Sequence, residues 1–310
     1  MELASSVTEY LRPVADAFVF INTTKVHPIW FPYALAPTLH AARISMVFQS
    51  NARKSPTPLS WGTYIFGFLI MAWGGGLLSH FWLGLPPPML YSFHPAINYI
   101  SVHLFFTLLF QAFPDLLYPP ILDTVFWPVD ALLRANAVTL TLGLFASPNV
   151  HPDYRNSPLA HFLLGAIASS GGGLSAATFS LWSPNWTFST PPPLRAGAGW
   201  AGTLDIWGGS LVALIYSSTT HHPAFTSLHT YTTLILSSPL LSGTRKPHAD
   251  SDFPPLNSLE AKSLAGVVLG LFFAARVIKQ HWLIPLSPAQ VPSKPTAITS
   301  PSKKAKKKVQ

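Results

Sequence analysis

The chain has no cysteine, and it has few charges: Asp, Glu, Lys and Arg make up only 10% of its 310 residues. The first absence excludes disulfides and thiolate-ligated metal sites. The second separates it from soluble domains, which average about 25% charged residues. With 49% hydrophobic residues and a mean hydropathy of +0.33, the composition is that of a multi-span membrane protein. Even the net charge of +8 is largely missing from the body, because Lys303, Lys304, Lys306, Lys307 and Lys308 carry five of it in a polar tail. A basic body that reads nucleic acid is therefore not expected. The opening stretch MELASSVTEYLRP lacks the apolar core of a cleavable signal peptide, so the first span is expected to direct insertion. No phosphate-binding loop occurs. The twelve histidines are scattered: His221-His222 has no partner at metal-ligand spacing, and His151 to Tyr154 reads as a turn. No catalytic residue, metal or cofactor is expected, and the chain is not read as an enzyme.

What is present is glycine, in two triplets set inside apolar runs: Gly74-Gly75-Gly76 and Gly171-Gly172-Gly173. Each glycine costs about 1 kcal/mol against alanine in a helix interior, so three together are expected to loosen or break their helix. A loosened backbone in hydrocarbon must be buried in protein or face water. Matched glycine-broken segments in two halves of a chain point to a midplane permeation or binding site. The alternative is that the glycines only let helices pack closely. From the residues alone both stay open.

The apolar pattern gives seven spans. The first runs from about Pro28 to Gln49 and, with Pro28, Pro32 and Pro37, is bent or starts late. The second covers about Trp61 to Leu85, stopped by Pro86-Pro87-Pro88. A third runs from Ile97 to Leu117 and is closed by Pro114 and Pro119-Pro120; a fourth runs from Val125 to Phe145, with Pro128 in its first turn. After the break Ser147 to Pro158 come a fifth from Leu159 to Trp182, the triplet Pro191-Pro192-Pro193, and a sixth from Ala198 to Tyr216. The last is Ala265 to Ile278. Both halves thus read apolar, glycine triplet, proline triplet, apolar. The glycine triplets lie 97 residues apart (Gly74 to Gly171), with three crossings between them, which predicts oppositely directed helices and an inverted repeat. Arg53 and Lys54 mark a cytosolic loop. Placing the lysine tail on the same side requires an even number of spans between them, which leaves His221 to Leu241 lumenal, interfacial or re-entrant.

Several ordered pieces carry a family resemblance. RKSPTPLSW (Arg53 to Trp61), GGGLLSHFWLGLPP (Gly74 to Pro87), FPDLLY (Phe113 to Tyr118), WPV (Trp127 to Val129), SSGGGLSAATF (Ser169 to Phe179) and FFAARVIK (Phe272 to Lys279) resemble, in order and spacing, elements of the trimeric intracellular cation (TRIC) channels. The resemblance covers about Pro32 to Ile278. It implies a homotrimer in the endoplasmic reticulum membrane with a potassium-permeable pore in each protomer, supplying counter-ion current for calcium release, with a lumenal N-terminus, a cytosolic C-terminus and seven spans. The family's Lys-Glu-Val element and following Arg are missing: Ala137, Val138, Thr139 and Thr141 stand there. Arg134, about one turn earlier, is the candidate substitute for binding anionic lipid headgroups; its plain alternative is an interfacial arginine that snorkels. Ser169-Ser170 replaces a basic residue frequent in relatives.

Potassium needs oxygens in place of part of its water shell. The candidate pore and hinge residues are the two glycine triplets with Ser79, Ser169, Ser170, Ser175, Thr178 and Asp205, the hydroxyls having helix packing as their alternative. Asp205 lies within a span, where it either attracts cations or pairs with an interior donor. Asp115, Asp123 and Asp130 read as interfacial caps, and Arg276 and Lys279 as snorkelling to the cytosolic surface. No TVGYG-like filter is present, so tight selectivity over sodium is not expected. Lys307-Lys308-Val309-Gln310 reads as a dilysine retrieval signal. Asn22-Thr23-Thr24 is a glycosylation sequon on the lumenal side of this topology, and Asn185-Trp186-Thr187 one on the cytosolic side.

The expectation is an all-α membrane protein of seven transmembrane helices, built as two inverted three-helix repeats plus a seventh helix. Residues 1–27 form a lumenal segment and 28–283 the channel domain (repeat one 28–146, repeat two 159–220, seventh span 262–283), followed by a disordered basic tail, 284–310. Its partners are potassium and other monovalent cations, membrane lipids and further copies of itself, and no nucleic acid. The alternatives are a secondary transporter or a non-conducting scaffold.

Overall fold

The computed structural model describes residues 4–236 and 256–283. Of these, 77% are helical. Helix α1 (Ala4–Thr23) leads into a two-stranded antiparallel hairpin, β1 (Lys25–His27) and β2 (Phe31–Ala34), whose turn is held by the His27 ring nitrogen accepting from the Ile29 and Trp30 amides. Then follow α2 (Leu35–Ala52), α3 (Trp61–Trp82), α4 (His94–Ala112), α5 (Pro119–Leu142), a single turn α6 (Pro152–Arg155), α7 (Pro158–Thr178), α8 (Gly199–Thr219), the short α9 (His229–Leu236) and α10 (Ser258–Val277), which continues as a π turn to Leu283.

Among the described residues, five helices are long and apolar enough to cross a membrane: α3, α4, α5, α7 and α10, the last with its π turn. The other two expected spans, α2 with 18 residues and α8 with 21, fall short in apolarity rather than length. Helix α2 carries Thr38, His40, Arg43, Ser45 and Gln49; α8 carries Asp205 and, in its last turn, Ser217, Ser218 and Thr219.

Local signals explain the boundaries. Ser60 caps α3, Ser157 caps α7, and Asn257 with Glu260 forms a reciprocal capping box at the start of α10. Pro119 and Pro120, expected to close the third span, instead open α5, occupying the first helical positions where a missing N–H costs nothing. Pro128 therefore lies inside the helix and not in its first turn. The polar stretch before Lys25 also folds, as α1, and buries Phe18 and Ile21 in the core beside α10. Of the ambiguous stretch 221–241, residues 223–236 form a 3-10 turn and α9; residues 237–241 and the tail 284–310 lie outside the described residues.

Two cores result. Helices α5, α7, α8 and α10 enclose one around Leu164, Leu204, Leu269 and Phe273; α2, α3 and α4 enclose the other around Phe48, Phe68 and Tyr99. Polar pairs bind α4 to α2: Thr38 with Asn98 (3.2 Å), His40 with Tyr99 (2.9 Å) and Ser45 with His103 (2.8 Å). Such bonds hold helices together where lipid offers no hydrophobic drive.

Candidate functional site

The glycine triplets are where expectation and structure part. Helix α3 runs unbroken through Gly74-Gly75-Gly76 and α7 through Gly171-Gly172-Gly173. No hinge forms, because the missing side chains are filled by the opposing backbone. A methyl carbon built on Gly74 would stand 2.8 Å from the Gly172 Cα, and one on Gly171 would stand 2.9 Å from the Gly75 Cα. The same exchange recurs one turn out: a methyl carbon on Gly75 would stand 2.8 Å from the Ala168 carbonyl oxygen, and one on Gly172 would run into the Met71 carbonyl. As α3 advances from Met71 to Gly75, its partner in α7 falls back from Gly172 to Ala168, so the two helices cross in opposite directions. With the helical ladder intact, no backbone carbonyl is freed for an ion. The packing alternative is the one realised at Gly74, Gly75, Gly171 and Gly172.

Beside this seam lies a cavity of about 830 Å³. Its walls on α2 are Ala36, Pro37, His40, Arg43, Ile44, Val47 and Asn51, one face of the helix over nearly its whole length. At about 1.5 Å per residue that stripe covers roughly 22 Å. The facing stripe on α5 runs from Asp123 through Asp130 and Arg134 to Thr141, roughly 27 Å by the same rise. A bilayer's hydrocarbon core is about 30 Å thick. The cavity thus runs nearly as long as the helices that wall it, a candidate passage backed by residues of α7 from Ala168 to Leu174 and closed by Asp205 of α8 and Phe273, Arg276 and Gln280.

Six charged side chains line the passage in two groups. Arg43 lies between two carboxylates, its Nη2 donating to Asp123 at 2.6 Å and its Nε to Asp130 at 2.9 Å. The other oxygen of Asp123 meets the His281 ring at 2.8 Å, while the Trp282 indole N–H donates to Thr124 at 3.1 Å, pinning the π turn to α5. In the second group one carboxylate serves two guanidiniums: Asp205 Oδ1 accepts from Arg276 at 2.8 Å and pairs with Arg134 at 3.2 Å. Arg134 also donates to the Ser169 carbonyl, and both guanidiniums lie over the Phe273 ring, at 5.3 and 4.5 Å from its centre.

The expected site residues divide accordingly. Gly75, Gly76, Gly172, Gly173, Ser169, Ser170 and Asp205 line the passage. Gly74 and Gly171 are buried in the seam, and Ser79, Ser175 and Thr178 lie off the path. Ser79 donates back to the Gly75 carbonyl at 2.8 Å and Ser170 to that of Ala166 at 2.6 Å, so these hydroxyls are spent on their own helices. Asp205 takes the interior pairing. Arg134 and Arg276 do not stand alone, as a snorkelling side chain would: Asp205 pairs with both. Asp123 and Asp130 are partners of Arg43 and not caps, whereas Asp115 is exposed. Lys279 stands over the Trp200 ring at 5.0 Å, outside the lining.

Arg43 escaped the sequence reading, although a signal was there. It is the lone ionised residue of an apolar helix, and such a residue needs an interior partner. It also follows Pro37 by the interval at which Arg134 follows Pro128. Among the described residues, no three His, Asp or Glu side chains are placed to hold a metal ion. No protein-family model, curated protein or solved structure matches the chain.

Proposed function

We propose that the chain is a channel for monovalent cations, potassium included, in the endoplasmic reticulum membrane, working as a homotrimer with one passage through each copy. The observation that carries the reading is the long cavity along α2 and α5, into which six charged side chains project inside an otherwise apolar bundle. Intramembrane charges of this kind are costly and mark ion pathways. The resemblance to TRIC channels supports the location and the assembly.

The same reading takes α2 and α8 as spans beside the five apolar helices. Their polar residues face the passage or the bundle interior, which is why composition alone leaves them out. An inverted repeat is supported by the seam. Shifting every position by the 97-residue offset turns the Gly75–Ala168 contact into Gly172–Met71, and Gly74–Gly172 into Gly171–Gly75. A two-fold axis through the crossing produces such an exchange.

The test is reconstitution of the purified protein into planar bilayers under a potassium gradient. Unitary cation currents are the expected outcome. Saturable flux without unitary steps would make it a carrier, and electrical silence in a folded preparation would leave a scaffold.

A further inference from the structure

The two charged groups along the passage are unequal. Around Arg43 stand Asp123 and Asp130, one positive charge against two negative. Around Asp205 stand Arg134 and Arg276, one negative against two positive. Counting these six side chains, and apart from the His281 ring at the outer oxygen of Asp123, the passage as a whole balances, but neither group does: the first keeps a residual −1 and the second a residual +1. The boundary between them falls within one turn of α5, since Asp130 turns to Arg43 and Arg134, four residues on, turns to Asp205. Both groups border the open volume. The Asp205 side chain remains 40% exposed to it, and those of Arg134 and Arg276 remain 26% and 16% exposed. Phe273, beneath both guanidiniums, offers its ring face and no counter-charge.

We infer that the Arg134–Asp205–Arg276 group sets the charge selectivity of the passage, its surplus positive charge being the barrier that a permeating cation must cross. The inference rests on the channel reading above. A cation drawn in at the Asp123–Asp130 group next meets a residual positive charge, in a low-dielectric wall where a unit charge acts over several ångströms. What governs passage is then the sum of charge at this group, whichever residue supplies it.

That arithmetic is testable because three substitutions change the sum in known steps. Arg134→Gln brings the group to zero, Asp205→Asn raises it to +2, and the double variant returns it to the natural +1 with the ion pair removed. Each protein is purified, checked for a single symmetrical peak by size exclusion, and reconstituted in planar bilayers under a potassium chloride gradient. The potassium-to-chloride permeability ratio is read from the reversal potential. R134Q is expected to raise the ratio roughly fivefold to tenfold, D205N to lower it by a similar factor, and R134Q/D205N to match the natural chain. If D205N does not fold, the ranking of the other three decides. Ratios that do not follow the summed charge, or a double variant far from the natural protein, would overturn the inference while leaving the channel intact. Absence of current in every folded preparation would overturn the channel reading and this one with it.

Discussion

The seam between α3 and α7 and the passage between α2 and α5 lie side by side, yet they are built in opposite ways. The seam is dry, made of backbone against backbone, with glycine wherever a side chain would collide. The passage is lined with charge, walled by helices whose inner faces carry Arg43, Asp130, Arg134 and other long polar side chains. The pairing is physically economical. Helices α3 and α7 meet backbone to backbone, and both border the cavity beside them, α3 through Gly75 and Gly76 and α7 through Gly172 and Gly173. Close packing in one place thus stands directly beside room for charge in the next.

The largest expected effect comes from putting a side chain into the seam. At Gly172 even one methyl would run into the Met71 carbonyl, and backbone cannot swing away as a side-chain tip can. Gly172→Ala is expected to cost about 3 kcal/mol, and Gly172→Leu to abolish the folded protein. The readout is the thermal midpoint in detergent and the size-exclusion profile. A G172L protein as stable as the natural chain would mean that the helices do not meet as described.

On the passage side, Arg43→Gln leaves Asp123 and Asp130 without their shared cation. The Arg43 and Asp130 side chains are only 11% and 12% exposed, so the carboxylates are poorly placed to recover water. Removing one partner of a buried ion pair costs about 3 to 5 kcal/mol, and the exposure of Asp123 to the passage puts this case at the lower end. Adding Asp130→Asn to R43Q is expected to restore roughly half of the loss, because it removes one of the two stranded charges. Melting curves of the two variants decide it; a double variant less stable than R43Q would show that Asp130 has a further partner that matters more than Arg43.

These contrasts also show what the sequence could and could not say. The spans of α3, α4 and α7 were legible to within a few residues, because glycine, proline and serine punctuate long apolar runs at their ends. The triplets stood out for the same reason, but composition does not say whether a glycine loosens its own helix or admits another. That depends on a partner about a hundred residues away. The ion pairs were hidden likewise: Arg43 reaches across 80 and 87 residues to its carboxylates, and Asp205 across 71 to Arg276. Helix α1 was missed because Glu9, Arg12 and Asp16 dilute its apolar face, although Phe18 and Ile21 supply the burial that holds it.

The smallest effect has the opposite sign and sits one residue from the largest. Gly173 belongs to the same triplet as Gly172, but a methyl built on it meets nothing within 4 Å, since it points into the passage and not into the seam. The helical backbone there already suits alanine, which is the better helix former by up to about 1 kcal/mol. Gly173→Ala is therefore expected to raise stability by about 0.5 to 1 kcal/mol, read as a higher thermal midpoint, while Gly172→Ala lowers it. Neighbouring residues of one type, in one helix at one depth, then respond in opposite directions for a single reason: one faces backbone and the other faces open volume. Equal losses at both positions would mean that the seam extends across Gly173, and that the passage does not reach α7.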